Sequence, residues 1–114
     1  MMNIEKLKDE FNQKATDFLV PIQTSKVVKL DCFESLRESL EKISLALKDI
    51  DLISKSLLNE VYVTIKILRG EAPYFSDNES RLMIYMANNL EYVFELILKN
   101  EAVGERKPGV PRIL

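Results

Sequence analysis

The sequence contains no histidine and no tryptophan, and it has a single cysteine and only three glycines. Histidine is the commonest general base and metal ligand, so its absence excludes every Ser-His and Cys-His catalytic pair. The three glycines, Gly70, Gly104 and Gly109, form no glycine-rich phosphate-binding loop. The sequence therefore predicts no enzyme, no catalytic or metal site, and no cofactor.

One cysteine, Cys32, cannot form a disulfide within the chain. We expect Cys32 in the first turn of a helix, where a thiol can be a nucleophile, but a half-buried packing role beside Phe33 is the favoured interpretation. Asp49 and Asp51 match a D-x-D spacing but lack the glycine and the distal glutamate of a calcium loop. We interpret them as exposed acids at a helix break.

Long hydrophobic runs and an excess of positive charge are also missing. A membrane span needs about 18 consecutive apolar residues, and the most apolar stretch, 84–98, is interrupted by polar and acidic side chains. The net charge of −2 gives no overall attraction to nucleic acid or anionic lipid. We expect neither a nucleic-acid nor a membrane partner, and a cytoplasmic location in the absence of a secretory signal.

The composition is that of an ordinary globular protein, with 46% hydrophobic and 30% charged residues among 114. This length fits one domain. Pro108, Gly109 and Pro111 exclude a helix near the C-terminus. The predicted organisation is a helical bundle domain over residues 1–103 and an extended tail over 104–114.

The first half of the chain predicts two helices. Ile4, Leu7, Phe11, Ala15 and Phe18 recur at helical spacing and define a helix from Asn3 to Leu19 that Pro21 stops. A partly extended link, Val20–Leu30, then crosses one end of the bundle, pinned to the core by Ile22, Val27 and Val28. Asp31 and Glu34 form a capping-box-like pair that starts the second helix, whose apolar stripe is Phe33, Leu36, Leu40, Ile43 and Leu47.

The second half predicts two more helices. A break near Asp49 is followed by a helix that Asp51 caps and that Gly70 ends in a left-handed conformation. Its stripe is Ile53, Leu57, Val61, Ile65 and Leu68, widened by Leu52 and Leu58. Ser76 and Glu79 form a capping box for the fourth helix, which ends near Asn100. Its apolar residues are Leu82, Met83, Met86, Leu90, Val93, Phe94, Ile97 and Leu98. The fold class is all-α: a four-helix bundle-like single domain with antiparallel neighbours.

The fourth helix and the loop before it carry the candidate binding residues. Residues 71–101 hold six acidic and two basic side chains, with tyrosines between them. Tyrosine is favoured at protein interfaces, and an acidic surface attracts a basic partner. The candidate partner-binding residues are Glu71, Tyr74, Asp77, Glu79, Tyr85, Asn88, Asn89, Glu91, Tyr92 and Glu95. In the alternative interpretation, the tyrosines only cover the edge of the bundle.

A short histidine-free helical chain with an acidic, tyrosine-bearing helix and the tail sequence RKPGVPR over residues 106–112 resembles the small all-helical bacterial toxin-immunity proteins of the contact-dependent inhibition or bacteriocin type. The resemblance lies in the general architecture and transfers no binding position. It implies a cognate protein partner, commonly a toxin nuclease with a basic active site, that an acidic surface of this protein blocks.

Two other function classes remain open. In a homodimeric helical regulator or assembly adaptor, the fourth helix would pair with its twin through Met83, Met86 and Leu90. An enzyme would have to work with carboxylates alone.

Overall fold

The computed structural model describes residues 4–99. Along the chain these form α1 Ile4–Ser25, α2 Leu30–Ala46, α3 Lys55–Glu71 and α4 Asp77–Leu98, with a 3₁₀ turn at Ala72–Tyr74 between α3 and α4. No strand occurs in this part of the chain. The predicted all-α, four-helix bundle-like fold is confirmed. The predicted tail 104–114 and the boundary before it lie outside the described residues.

Each helix packs against two others. α1 lies between α2 and α3, and α4 closes the bundle by packing against the other side of both. The Phe18 and Phe33 rings join α1 to α2, with 5.6 Å between their centroids. Residues 47–54 therefore lead from α2 to a helix on the diagonal of the bundle. The connection that crosses one end of the bundle is therefore 47–54. The sequence pattern had predicted that the Val20–Leu30 link would do so.

α1 and α3 run parallel. Near the start of both helices the Lys8 ammonium donates to the Ser56 hydroxyl. Near their ends, the Lys26 ammonium lies 3.0 Å from a carboxylate oxygen of Glu71. The expectation that neighbours are antiparallel is therefore wrong for this pair. α2 brings the chain back to the end at which α1 begins, and the diagonal connection then places α3 next to α1.

Side chains from all four helices fill one core. The largest fully buried ones are Phe11, Phe18, Ile22, Leu36, Leu40, Ile43, Leu57, Leu68, Met83, Met86, Leu90 and Leu96. Burial of one such side chain contributes about 1.5–3 kcal/mol. The predicted apolar stripes are buried or packed against this core, except that Leu98 is exposed and Leu52, in the connection before α3, is 93% exposed.

The predicted stop at Pro21 is wrong, because α1 continues through Pro21 to Ser25. Proline has no N–H to donate to the carbonyl four residues earlier, but the next residue, Ile22, is fully buried and keeps this turn against the core. The helix ends at Ser25, because the next residue, Lys26, has a left-handed φ of 54°. Of the link residues expected to pin the chain, Ile22 and Val28 do pack on the core, whereas Val27 is exposed.

The starts of the helices test the predicted caps. The Ser76 hydroxyl oxygen accepts from the Glu79 amide at 3.4 Å and donates to the Glu79 carboxylate at 3.0 Å, which confirms the cap of α4. α2 begins one residue before Asp31 and has no side-chain cap, so the Asp31–Glu34 box is wrong; Glu34 binds Arg37 at 2.6 Å. The cap of α3 is not Asp51, as predicted, but the residue next to the helix, Ser54, which accepts from the Leu57 amide.

Two further helix boundaries were predicted from local sequence signals, one at Asp49 and one at Gly70. The predicted break near Asp49 is confirmed, and Asp49 has a left-handed φ of 64°. Gly70, however, does not end α3, which continues through Glu71. The burial of both Leu68 and Ala72, one helical turn apart, holds the chain in helical form past the glycine.

Candidate protein-binding surface

The position of α4 is fixed by its inner face. Met83, Met86, Leu90, Val93 and Ile97 are buried in the core, at the three- and four-residue steps that place them on one side of a helix. Met83, Met86 and Leu90 thus belong to the core of the single chain, and the expectation that they form a dimer interface is wrong. Any partner of α4 must contact its opposite side.

The opposite side presents a continuous row of residues, here called the outer stripe. Its members follow one another at steps of three or four residues: Asp77, Arg81, Tyr85, Asn88, Tyr92, Glu95 and Lys99. Tyr85 is 64% exposed and Tyr92 44% exposed, and Ile84 beside them is 45% exposed. A rigid helix therefore holds two tyrosines and an isoleucine in solvent.

Arg69 of α3 binds the flank of α4. Its two terminal nitrogens donate to the two carboxylate oxygens of Glu91 at 2.9 and 3.0 Å, and one of them also donates to the side-chain oxygen of Asn88 at 2.9 Å. This paired geometry is the strongest that an arginine makes with a carboxylate. The hydrogen bonds from Arg69 lower the pKa of Glu91 and raise the pKa of Arg69, against a smaller opposing effect of desolvation.

Glu71 and Tyr74 lie apart from the outer stripe, where α1 and α3 end. Glu71 pairs with Lys26, and the Lys26 ammonium lies 5.4 Å from the centroid of the Tyr74 ring and 5.7 Å from that of Phe75. Both distances are typical of a cation–π contact. The positive charge of Lys26 thus neutralises the acidic residue that precedes α4.

The ten candidate residues are therefore divided by the structure. Asp77, Tyr85, Asn88, Tyr92 and Glu95 share the outer stripe. Glu79 binds the capping residue Ser76, Glu91 is bound to Arg69, and Asn89 is half-buried beside the core-facing side.

The sequence analysis missed two stripe members, Arg81 and Lys99. Each stands four residues after an acidic member, Asp77 or Glu95, a spacing that puts oppositely charged side chains next to each other on a helix. That signal was present in the sequence. The outer stripe is consequently not acidic, because it alternates in charge and holds two acids and two bases.

Shallow grooves lie between the helices. One of about 190 Å³ between α3 and α4 is lined by Tyr62, Ile65, Lys66, Arg69, Glu91 and Phe94. Within it, Arg69 binds Glu91 and the Lys66 ammonium lies over the Tyr62 ring. A hollow of about 260 Å³ between α1 and α2 contains half-buried Cys32 with Asp17 and Asp31. Over residues 4–99, no three Cys, Asp or Glu side chains are grouped to hold a metal ion, and no helix has the length and apolarity to cross a bilayer.

Comparison of the chain with protein-family models, with curated proteins and with solved structures gave no match.

Proposed function

We propose that the protein is a protein–protein interaction module that binds through the outer stripe of α4. The observation that carries the proposal is the exposure of Tyr85, Tyr92 and Ile84 on a helix whose inner face anchors it in the core. Tyrosine offers a large contact area at a low entropic cost and is enriched among residues that dominate binding energies. A rigid helix avoids much of the ordering cost of association.

For the partner we propose a cognate bacterial toxin, which would make the protein an immunity or antitoxin protein acting in the cytoplasm. Support comes from the first turns of α4, where two exposed carboxylates, Asp77 and Glu79, outnumber the one base, Arg81. Such an end attracts a basic surface, for example that of a nuclease, and speeds its association. The proposal gives the protein itself no catalytic step.

The test is capture of the partner from the host with tagged protein. We expect one stoichiometric partner, and at least a tenfold loss of affinity when Tyr85 and Tyr92 are both replaced by alanine, since removing such an anchor costs about 2 kcal/mol or more. Tyr62→Ala is the matched control, because Tyr62 is 53% exposed but lies on α3. Equal capture by the double variant would place the binding surface elsewhere.

The immunity role has a test of its own. The captured partner, expressed alone, should arrest growth, and co-expression of this protein should restore it. A harmless partner would contradict the immunity role while leaving the interaction module intact.

A second candidate function is a homodimeric regulator or assembly adaptor. The order of charges along the outer stripe favours it, because that order is complementary to itself.

A further inference from the structure

The charges on the outer stripe are placed symmetrically about Asn88. Asp77 and Lys99 stand eleven residues before and after Asn88, and Arg81 and Glu95 stand seven residues before and after it. At each distance one side is acidic and the other is basic. A reversal of the helix direction about Asn88 therefore exchanges every charge of the stripe for its opposite.

We propose that the outer stripe of α4 binds the same stripe of a second copy of this chain, antiparallel and with Asn88 on the two-fold axis. Asp77 then faces Lys99 of the second copy, and Arg81 faces Glu95 of the second copy. Because a two-fold interface repeats each contact, both ion pairs occur twice. The inference rests on the proposed function because it uses the same face, for which a second copy and a different protein partner compete.

Parallel pairing in register is excluded by the same charges. It would bring Asp77 against Asp77 and Arg81 against Arg81, and like charges in contact repel. It would also align the two helix dipoles, whereas antiparallel helices place the positive end of each beside the negative end of the other.

The apolar side chains of the stripe fit the antiparallel register. Around the helix, Tyr85 and Tyr92 lie about 60° and about 40° to the same side of Asn88, three residues before it and four after it. Tyr85 of each copy therefore packs against Tyr92 of the other copy. Tyrosine rings thus flank the central Asn88, and the charged side chains lie at the two ends of the contact, as at the polar rim of natural interfaces.

The dimer should be weak. One helix face offers less than the roughly 800 Å² per partner of a standard interface. Glu95 also has an interaction within the monomer, but exposed ion pairs are worth little and exchange partners readily. We therefore expect dissociation at concentrations on the order of micromolar.

Sedimentation equilibrium of the purified protein tests the pairing. The average mass should rise from one chain towards two with concentration. Arg81→Glu and Glu95→Arg should each weaken the dimer about tenfold, because each replaces two attractions with two repulsions. The double variant should recover the affinity of the original chain. Within one helix residues 81 and 95 are about 21 Å apart, so such a rescue must act between copies.

The matched controls are Lys42→Glu and Glu38→Arg, the same charge reversals on the exposed side of α2, which should leave the dimer unchanged. A mass independent of concentration would overturn the inference, as would single variants that dimerise like the original chain or a double variant without recovery. The two proposals can fail separately. If the chain is a monomer at all concentrations but replacement of Tyr85 and Tyr92 abolishes capture of the partner, the dimer inference fails and the proposed function stands.

Cysteine cross-linking tests the register in a Cys32→Ser background. Asn88→Cys should form a disulfide between copies under mild oxidation, because residue 88 meets itself on the axis. Asp77→Cys should not, since the two copies of residue 77 lie at opposite ends of the paired helices. A reversed result, with 77 linked and 88 unlinked, would refute the antiparallel pairing.

Discussion

At the scale of residues, the character of the α4 surface depends on bases that other helices contribute. Lys26 directly follows α1 and neutralises Glu71, and Arg69 of α3 binds Glu91. The excess of acids over residues 71–101 is visible in the sequence, but these partners lie 45 and 22 residues away along the chain. Which carboxylates remain available could not be inferred before the neighbours of each helix were known.

The Arg69–Glu91 pair predicts a dependence of stability on pH. Because the pKa of Glu91 is lowered in the folded protein, the stabilisation is present above the unfolded pKa of about 4.3 and is lost as pH falls through the lower folded pKa. Glu91→Gln should lower the free energy of unfolding at pH 7 by less than about 1 kcal/mol, as both groups are partly exposed.

Urea unfolding of the original chain and of the variant at pH 7 and pH 2.5 or so measures this effect. The difference between the two proteins should shrink at the acidic pH. Glu38→Gln, on an exposed site of α2, is the control and should show no such change. A difference that grows in acid would have the wrong sign for a carboxylate stabilised by an arginine.

At the scale of elements, apolar spacing predicted all four helices, because each must bury one stripe of side chains in the shared core. The local stop signals were less reliable. Pro21 and Gly70 both lie inside helices, where burial of Ile22, and of Leu68 with Ala72, outweighs the local cost. Ser76 was predicted correctly because its S-x-x-E pattern stands directly before the start of α4. Ser54 was missed because the prediction placed the cap of α3 at Asp51, three residues too early.

Replacement of Pro21 tests whether α1 passes through this position. Pro21→Ala restores an N–H that can donate to the Asp17 carbonyl, so the free energy of unfolding should rise by about 1–3 kcal/mol. The measurement is urea unfolding together with circular dichroism at 222 nm or so. Unchanged or reduced stability would mean that the helix ends at the proline, as the sequence pattern alone suggests. Ala15→Gly, inside the same helix, is the opposite control and should be destabilising.

At the scale of the whole molecule, the order of the helices in the bundle was the least predictable feature. Periodicity says which face of a helix is buried but not which helix covers it. The connection 47–54 decides the arrangement, since it takes α3 to the diagonal from α2 and makes α3 a parallel neighbour of α1. Five of the ten candidate residues share one exposed face of α4, and the alternating charge of that face follows from Arg81 and Lys99.

The parallel arrangement of α1 and α3 predicts a specific pattern of zero-length cross-links. A carbodiimide joins a carboxylate to an amine in direct contact, so Lys26 should couple to Glu71, which lies 3.0 Å away, and Glu71→Gln should abolish the product. At the other end, Ser56→Glu should make Lys8 couple to residue 56, because Lys8 contacts that position. Peptide mass spectrometry identifies both links. An antiparallel α1 and α3 would instead bring Lys8 to the end that carries Glu71, which now lies about 23 Å away, fifteen residues along α3 from Ser56. A Lys8–Glu71 product would therefore contradict the arrangement and the diagonal connection that produces it.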